Sequence, residues 1–223
     1  FIRFLYVPFI SLIDQWQIII VFLSLASMIF GAIAAIGQKN IKRMIAYSSI
    51  GHMGYALAGL CAGTNQGIQS SIFYITIYIV MNFGFFSCLF MLKRNDRYYE
   101  DIDDFSGLSK NHPLLALSFL IILFSLAGIP PLAGFFAKFY IFKAVLDQSM
   151  YYLAIIGLLS TVIAAFYYLR IVKIMYFDSE KEKYDTDYTL GLKFTASLST
   201  ILILLYFIYP SKLVEIVSKI NII

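Results

Sequence analysis

Long apolar runs constrain this chain more than any other feature. They recur at 18–37, 45–62, 68–92, 114–146, 151–175 and 191–209, separated by short polar connections. An apolar stretch of about 20 residues crosses the hydrocarbon core of a bilayer as a helix. Strands of a membrane barrel would alternate in polarity over about ten residues, and these runs do not. The expected fold is therefore all-α: a polytopic transmembrane helix bundle of about six spans, with 1–13 as the tail of a helix begun upstream. Of the 223 residues 61% are hydrophobic and 13% charged, and mean hydropathy is +0.81. Soluble domains average about 45–50% apolar and about 25% charged, so this chain has too little polar surface to face water. A disordered protein, a disulfide-stapled secreted module and an ordinary cytosolic enzyme are all excluded. No linker divides the chain, so residues 1–223 read as a single transmembrane domain. It opens at Phe1 without a signal-peptide n-region, as expected of a piece of a longer membrane protein.

The run 114–146 is too long for one straight crossing. At 1.5 Å per residue it would measure roughly 50 Å against a core of roughly 30 Å. Gly128, Pro130 and Pro131 stand at its middle. Paired prolines remove two backbone donors and crowd the preceding turn, so a break is expected there. Backbone broken at membrane depth persists only where protein or a wet cavity satisfies it.

Charge selects one broken span over two short ones. With one span, Lys39, Lys42 and Arg43 share a side with Lys93, Arg94, Arg97 and Lys110, and with Lys173, Lys181, Lys183 and Lys193. Lys212 and Lys219 fall on the other. Lys/Arg bias in short loops sets orientation, so the basic loops are expected on the cytoplasmic or matrix side and the C-terminus opposite. Residues 210–223 place Leu213, Val214, Val217 and Ile220 on one helical face and Lys212, Glu215 and Lys219 on another, as expected of an amphipathic helix lying on the interface or packed on a neighbour, with a frayed end as the alternative. The net charge of +4 lies in loop clusters rather than along one face, which argues against a nucleic-acid partner.

Among residues able to carry chemistry, Lys138 comes first. A cation inside a membrane helix costs about 2.5–3.5 kcal/mol even on the lenient insertion scale. Two readings stand. A buried amine beside a broken helix loads and releases protons, and a long side chain some 12 Å from the break snorkels to the headgroups. Lys143, one turn on, reads as interfacial. His52 is second, with Ser48, Ser49, Tyr47 and Tyr55 as hydroxyl partners on the same helix. It suits a proton relay, or a neutral histidine joining two helices. Tyr78 and Asn82 read as interhelical glue, and His112 beside Pro113 as a cap or surface residue.

Other signals fail. Asp101-Ile-Asp103-Asp104 resembles the start of a calcium loop, but Phe105 and His112 occupy positions that need an oxygen ligand and Glu. Asp96, Glu100, Asp101, Asp103 and Asp104 read as a solvated face or a subunit contact. Cys61 and Cys88 stand alone in apolar runs and form no CxxC. No dinucleotide, P-loop, zinc-hydrolase, nucleophile-elbow or haem motif occurs, so no cofactor is expected in this chain.

Three stretches carry a family likeness. Asn40-Ile-Lys42-Arg43-Met-Ile-Ala-Tyr47-Ser48-Ser49-Ile-Gly-His52-Met-Gly54-Tyr55 resembles the signature helix of the antiporter-like proton-pumping subunits of respiratory complex I. Ser125-Leu-Ala-Gly128-Ile-Pro130-Pro131-Leu-Ala-Gly134-Phe-Phe-Ala-Lys138-Phe-Tyr140 is similar to the family's broken twelfth helix with its essential lysine. Asp101-Ile-Asp-Asp104-Phe-Ser-Gly107-Leu108 resembles the loop before it. Within the family, Ile77-Tyr78-Ile-Val-Met-Asn82-Phe-Gly84-Phe85-Phe86 looks most like the subunit N branch, called subunit 2 in mitochondria. Subunits M and L usually place histidine there.

The resemblance implies that the piece runs from the end of the eighth helix through the fourteenth. It implies a bacterial plasma membrane or mitochondrial inner membrane, and partnership with the other complex I membrane subunits, especially the paralogous antiporter-like ones, and with lipid. Quinone reduction elsewhere would drive protons along a mid-membrane polar axis, with Lys138 the distal exchanging residue and His52 part of the central relay. NADH, flavin, iron–sulfur clusters and quinone would belong to the complex as a whole, with no redox centre in this chain. The family's glutamate–lysine pair and central lysine would lie before Phe1, so this piece would carry one half of a channel. Two alternatives stand beside this: a subunit of a related cation/proton antiporter or membrane-bound hydrogenase, and a non-pumping membrane scaffold.

Overall fold

Local capping chemistry sets where the helices begin. The Asn40 side chain accepts a hydrogen bond from the Arg43 N–H at 3.1 Å, and Thr64 accepts one from Gly67 at 3.1 Å. Each satisfies a backbone donor that a helix start leaves orphaned. In the computed structural model, which describes residues 1–94, 97–181, 184–185, 189–208 and 210–222, the chain is almost wholly helical. The elements are α1 (Ile2–Tyr6), α2 (Ile13–Ile36), α3 (Ile41–Cys61), α4 (Asn65–Phe90), α5 (Leu108–Asn111), α6 (Pro113–Ala127), α7 (Ala133–Asp147), α8 (Tyr151–Phe177), α9 (Leu190–Leu205) and α10 (Ser211–Ser218). A 3₁₀ turn, Ile10–Leu12, leads into α2, and another, Ile102–Phe105, precedes α5. A two-residue hairpin, Lys93–Arg94 with Arg97–Tyr98, follows α4. Asp96 and Lys183, counted above among the loop charges, and Tyr209, expected at the end of the last span, lie outside the described residues.

Helices start earlier than apolar composition alone places them. The run expected at 45–62 begins at Ile41, because Asn40 caps Lys42 and Arg43 into the first turn. By length and composition alone, three described helices can cross a bilayer: α2 with its 3₁₀ lead-in, α4 and α8. Exposed Ile18, Phe22, Val162 and Phe194 give the bundle an apolar coat. The chain is a multi-pass membrane protein.

The long run 114–146 is one discontinuous crossing. Its halves α6 and α7 have 15 residues each, about 22 Å, so neither crosses a roughly 30 Å core alone. The α6 end lies beside the end of α8, where Gly107 donates to Ile174 O at 3.2 Å and Asn111 to Lys181 O at 2.8 Å. The α7 side reaches the opposite end, where Ile141 packs on Gly59 near the close of α3.

Small residues let α2 and α3 approach closely. A Cβ on Gly31 would strike the backbone of Gly51 and Tyr47, and one on Gly54 would strike Met28 and Ser24. Ser24 Oγ donates to Gly54 O at 2.7 Å across that contact. Tyr168, Phe119, Phe85 and Met81 fill the centre, where α8, α6 and α4 meet. At the start of α3 the acidic loop closes the bundle. Ile41 N donates to Glu100 O at 2.7 Å, Ile102 N to Lys39 O at 2.8 Å, and Lys42 pairs with Glu100 at 2.5 Å. Hydrogen bonds from Lys42 and Asn40 hold the Glu100 carboxyl below its ordinary value. Asp101 and Asp104 cap the 3₁₀ turn reciprocally, which gives these carboxylates a structural task. At the other end α10 lies on the start of α4, with Gln69 donating to Ser218 O and Ile220 O.

Candidate functional site

The break between α6 and α7 creates the first half of the site. Gly128 ends α6 in the left-handed region at φ 87°, donating to Phe124 O and Ser125 O. That is the usual glycine C-cap, and it leaves the last carbonyls of α6 without helical partners. Pro130 and Pro131 cannot donate, and Leu132 takes the N-cap position of α7 without a side-chain cap. The Lys138 ammonium donates to Leu126 O at 3.2 Å and Ala127 O at 3.1 Å, and the residue is 4% exposed. The side chain thus turns back onto the break instead of reaching toward an interface. The carbonyl end of a helix carries partial negative charge, which suits an ammonium. A Cβ at Gly128 would crowd the lysine stem, at 3.1 Å from Cδ and 3.3 Å from Nζ. Ser125 fixes the register of the two halves: its Oγ accepts from Gly134 N at 3.0 Å and faces Met81 Sδ at 3.0 Å. Gly134 is pressed on the Ser125 carbonyl so closely that no Cβ fits.

Side chains alone build the second half. His52, in the middle of α3 and 3% exposed, meets the Tyr74 hydroxyl through Nδ1 at 2.7 Å and the Tyr168 hydroxyl through Nε2 at 3.1 Å. A neutral imidazole has one donor and one acceptor, so one tyrosine donates to the ring and the other accepts from it. Tyr78 stacks on the imidazole at 4.6 Å. Ser48 hydrogen-bonds Tyr168, and Tyr167 donates to Ser48 at 3.2 Å. The result is a hydroxyl–imidazole chain linking α4, α3 and α8, able to pass a proton by successive donor–acceptor exchange.

The two halves share one small cavity of about 10 Å³, lined by Lys138, His52, Tyr55, Ser48, Ser160 and Tyr167, among others. A volume of about 10–15 Å³ holds one water. Of the residues singled out from sequence, Lys138, His52, Ser48 and Tyr55 meet here. Ser49 does not face it; it accepts from Tyr78 at 2.6 Å and donates to Ile45 O within its own helix. Asn82 donates to Tyr78 O along α4, not to a neighbouring helix. Gly128, Pro130 and Pro131 act through backbone shape. His112 stands at the α6 N-cap without capping it, and its Nε2 accepts from Tyr184 N at 3.1 Å. Lys143 is exposed beside Tyr140 and Gln66. Sequence reading missed Tyr74, Tyr167 and Tyr168, and it held Ser125 and Gly134 only as members of the broken-helix motif. The adjacent hydroxyls of Tyr167 and Tyr168, deep in the apolar α8, were the available signal. Among the described residues no group of three His, Cys, Asp or Glu is placed to hold a metal.

Comparison with known proteins places this geometry. Residues 1–164 match the family described as NADH:quinone oxidoreductase/Mrp antiporter, TM. The chain is 77% identical over 223 residues to NADH-quinone oxidoreductase subunit N of Pelagibacter ubique, covering 100% of this chain and 47% of that protein. It thus spans less than half the length of this relative. Among solved structures, a chain of respiratory complex I from Thermus thermophilus with bound NADH superposes with a TM-score of 0.80 at 25% identity, over 93% of this chain and 44% of that one. A chain of the Mrp complex from Dietzia sp. DQ12-45-1b has the same fold, with a TM-score of 0.79 at 21% identity over 92% of this chain and 46% of that one.

Proposed function

The chain belongs to the NADH:quinone oxidoreductase/Mrp antiporter transmembrane family, and on that premise we propose that it forms part of a proton-translocating membrane subunit of NADH-quinone oxidoreductase. Proton transfer through Lys138, the small shared cavity and the His52 hydroxyl chain is coupled to quinone reduction elsewhere in the complex. The observation that carries this reading is the ammonium of Lys138, buried in a membrane helix and held by two carbonyls that only the break sets free. Among the described residues it has no ion-pair partner. A lysine serving only as structure has little reason to be there, since the insertion cost of about 2.5–3.5 kcal/mol is avoided by any apolar residue.

In this reading the lysine exchanges its proton with the cavity, and the imidazole and tyrosine hydroxyls carry it between helices. NADH, flavin, iron–sulfur clusters and quinone belong to other parts of the complex, and the neighbours are its other membrane subunits. The family also contains Mrp antiporters, which keeps cation/proton exchange as the second reading. Replacing Lys138 by Ala in the full-length subunit of the assembled complex is expected to lower proton pumping and quinone reductase turnover together, by about tenfold or more. Normal pumping in the assembled variant sinks the proton-carrier role. Sodium-dependent transport without quinone coupling would favour the second reading.

The basic loops are proposed to face the cytoplasm or matrix. Cys61 and Cys88 of this chain are both buried, so neither competes with a cysteine placed at Lys181. It is expected to react with an impermeant maleimide only from that side, and labelling from the other side reverses the orientation.

A further inference from the structure

Tyr55 looks from sequence like a hydroxyl partner of His52, one turn away on α3, but its hydroxyl is engaged elsewhere. It donates to Gly157 O at 3.1 Å and meets Thr161 Oγ1 at 2.8 Å, both on α8. The ring therefore bridges α3 and α8, and its edges are fixed. Phe142 packs on it edge-on at 6.1 Å, and the Tyr74 ring lies at 6.0 Å. The Lys138 ammonium sits over its face, 5.1 Å from the centroid.

That placement answers a question left by the break. An ammonium has three N–H donors, and Leu126 O and Ala127 O accept two. Among the described residues no oxygen accepts the third. An aromatic face attracts a cation through its quadrupole, and the attraction is strongest where water is excluded. Tyr55 itself is 3% exposed. We propose that Tyr55 is a positioning residue for Lys138: its ring face, and not its hydroxyl, seats the ammonium between the α6 carbonyls and the cavity shared with His52. Packing of the ring against Phe142 and Tyr74 holds that face in place, with the hydroxyl bonds to α8 as an addition.

The proposal rests on the proton-carrier reading of Lys138, and the test separates the two. In the full-length subunit of the assembled complex, Tyr55→Phe and Tyr55→Trp keep the face and lose the hydroxyl. Tyr55→Leu loses the face. Quinone-coupled proton pumping, normalised to assembled complex, is expected to stay above about half in the Phe and Trp variants and to fall about threefold to tenfold in the Leu variant. A cavity left by Leu also lowers pumping, so the pH profile is the deciding readout: loss of the ring face is expected to change it, whereas a space-filling defect lowers the rate at every pH alike. If the Leu variant does not assemble, Tyr55→Met takes its place under the same expectation. Parental pumping in the faceless variant overturns the proposal, and so does a loss in Tyr55→Phe as deep as that in Tyr55→Leu. Lys138→Ala is the reference. If it is inactive while Tyr55→Leu pumps normally, the ring role alone fails. If Lys138→Ala itself pumps normally, the proton-carrier reading fails and the ring role with it.

Discussion

Lys138 and His52 line one cavity, yet the protein satisfies them in opposite ways. Backbone receives the lysine: two carbonyls at the end of α6, set free by Gly128 and the prolines within ten residues of Lys138 in sequence. Side chains receive the histidine: Tyr74 and Tyr168, which lie 22 and 116 positions away. A backbone site is rigid, because its acceptors move only if a helix end moves. A side-chain site is adjustable, because each hydroxyl rotates and can donate or accept. A proton carrier that must be held at one depth suits the first arrangement. A relay that must reverse its hydrogen bonds at each transfer suits the second.

The contrast can be broken in order of effect. Lys138→Ala removes the ammonium that the carbonyls of the break accept, and its expected loss of about tenfold or more in coupled pumping is the largest. Gly134→Ala tests the backbone arrangement without touching the lysine. The added methyl meets the Ser125 carbonyl, so α7 must shift, and overpacking of this kind costs about 1–3 kcal/mol. A lower thermal midpoint of the purified complex and a several-fold loss of pumping are expected. An unchanged midpoint with full pumping would mean that the lysine seat tolerates movement, against the rigid picture. His52→Met is expected to be mildest on turnover, about twofold to threefold, because the remaining hydroxyls of Tyr74, Tyr168 and Ser48 can rearrange around the gap. A loss equal to or greater than that of Lys138→Ala would reverse the ranking and make the side-chain half the more demanding one.

The same contrast explains what was legible in the sequence. Lys138 and its break are near neighbours, so a glycine, two prolines and a lysine within one apolar run pointed to each other directly. The break follows from local backbone chemistry, the helical fold from the length of the apolar runs, and the choice of one crossing over two from the charge of the flanking loops. His52 stands out as a candidate in the sequence, but the spacing points to partners on its own helix. Only Ser48 joins its network there. Ser49 pairs with Tyr78 instead, and Tyr55 turns to α8. Spacing along one helix says which residues share a face, not which hydroxyl on another helix fills the space opposite. Asn82 shows the converse: a polar residue expected to cross to a neighbour satisfies itself one turn back.

By itself the sequence determined the solvent, the rough limits of the long helices, the place of the break and the candidate lysine. Each depends on composition or on residues a few positions apart, where helix geometry fixes the distance. Tertiary packing alone decided that the ammonium turns inward, that Tyr74 and Tyr168 hold the imidazole, and that the Tyr55 ring lies under Lys138. Those outcomes depend on how α3, α4, α7 and α8 are set against one another. That setting arises from close contacts between helices: Gly59 of α3 against Ser71 and Gly67 of α4 and Ile141 of α7, and Gly157 of α8 against Phe142 of α7.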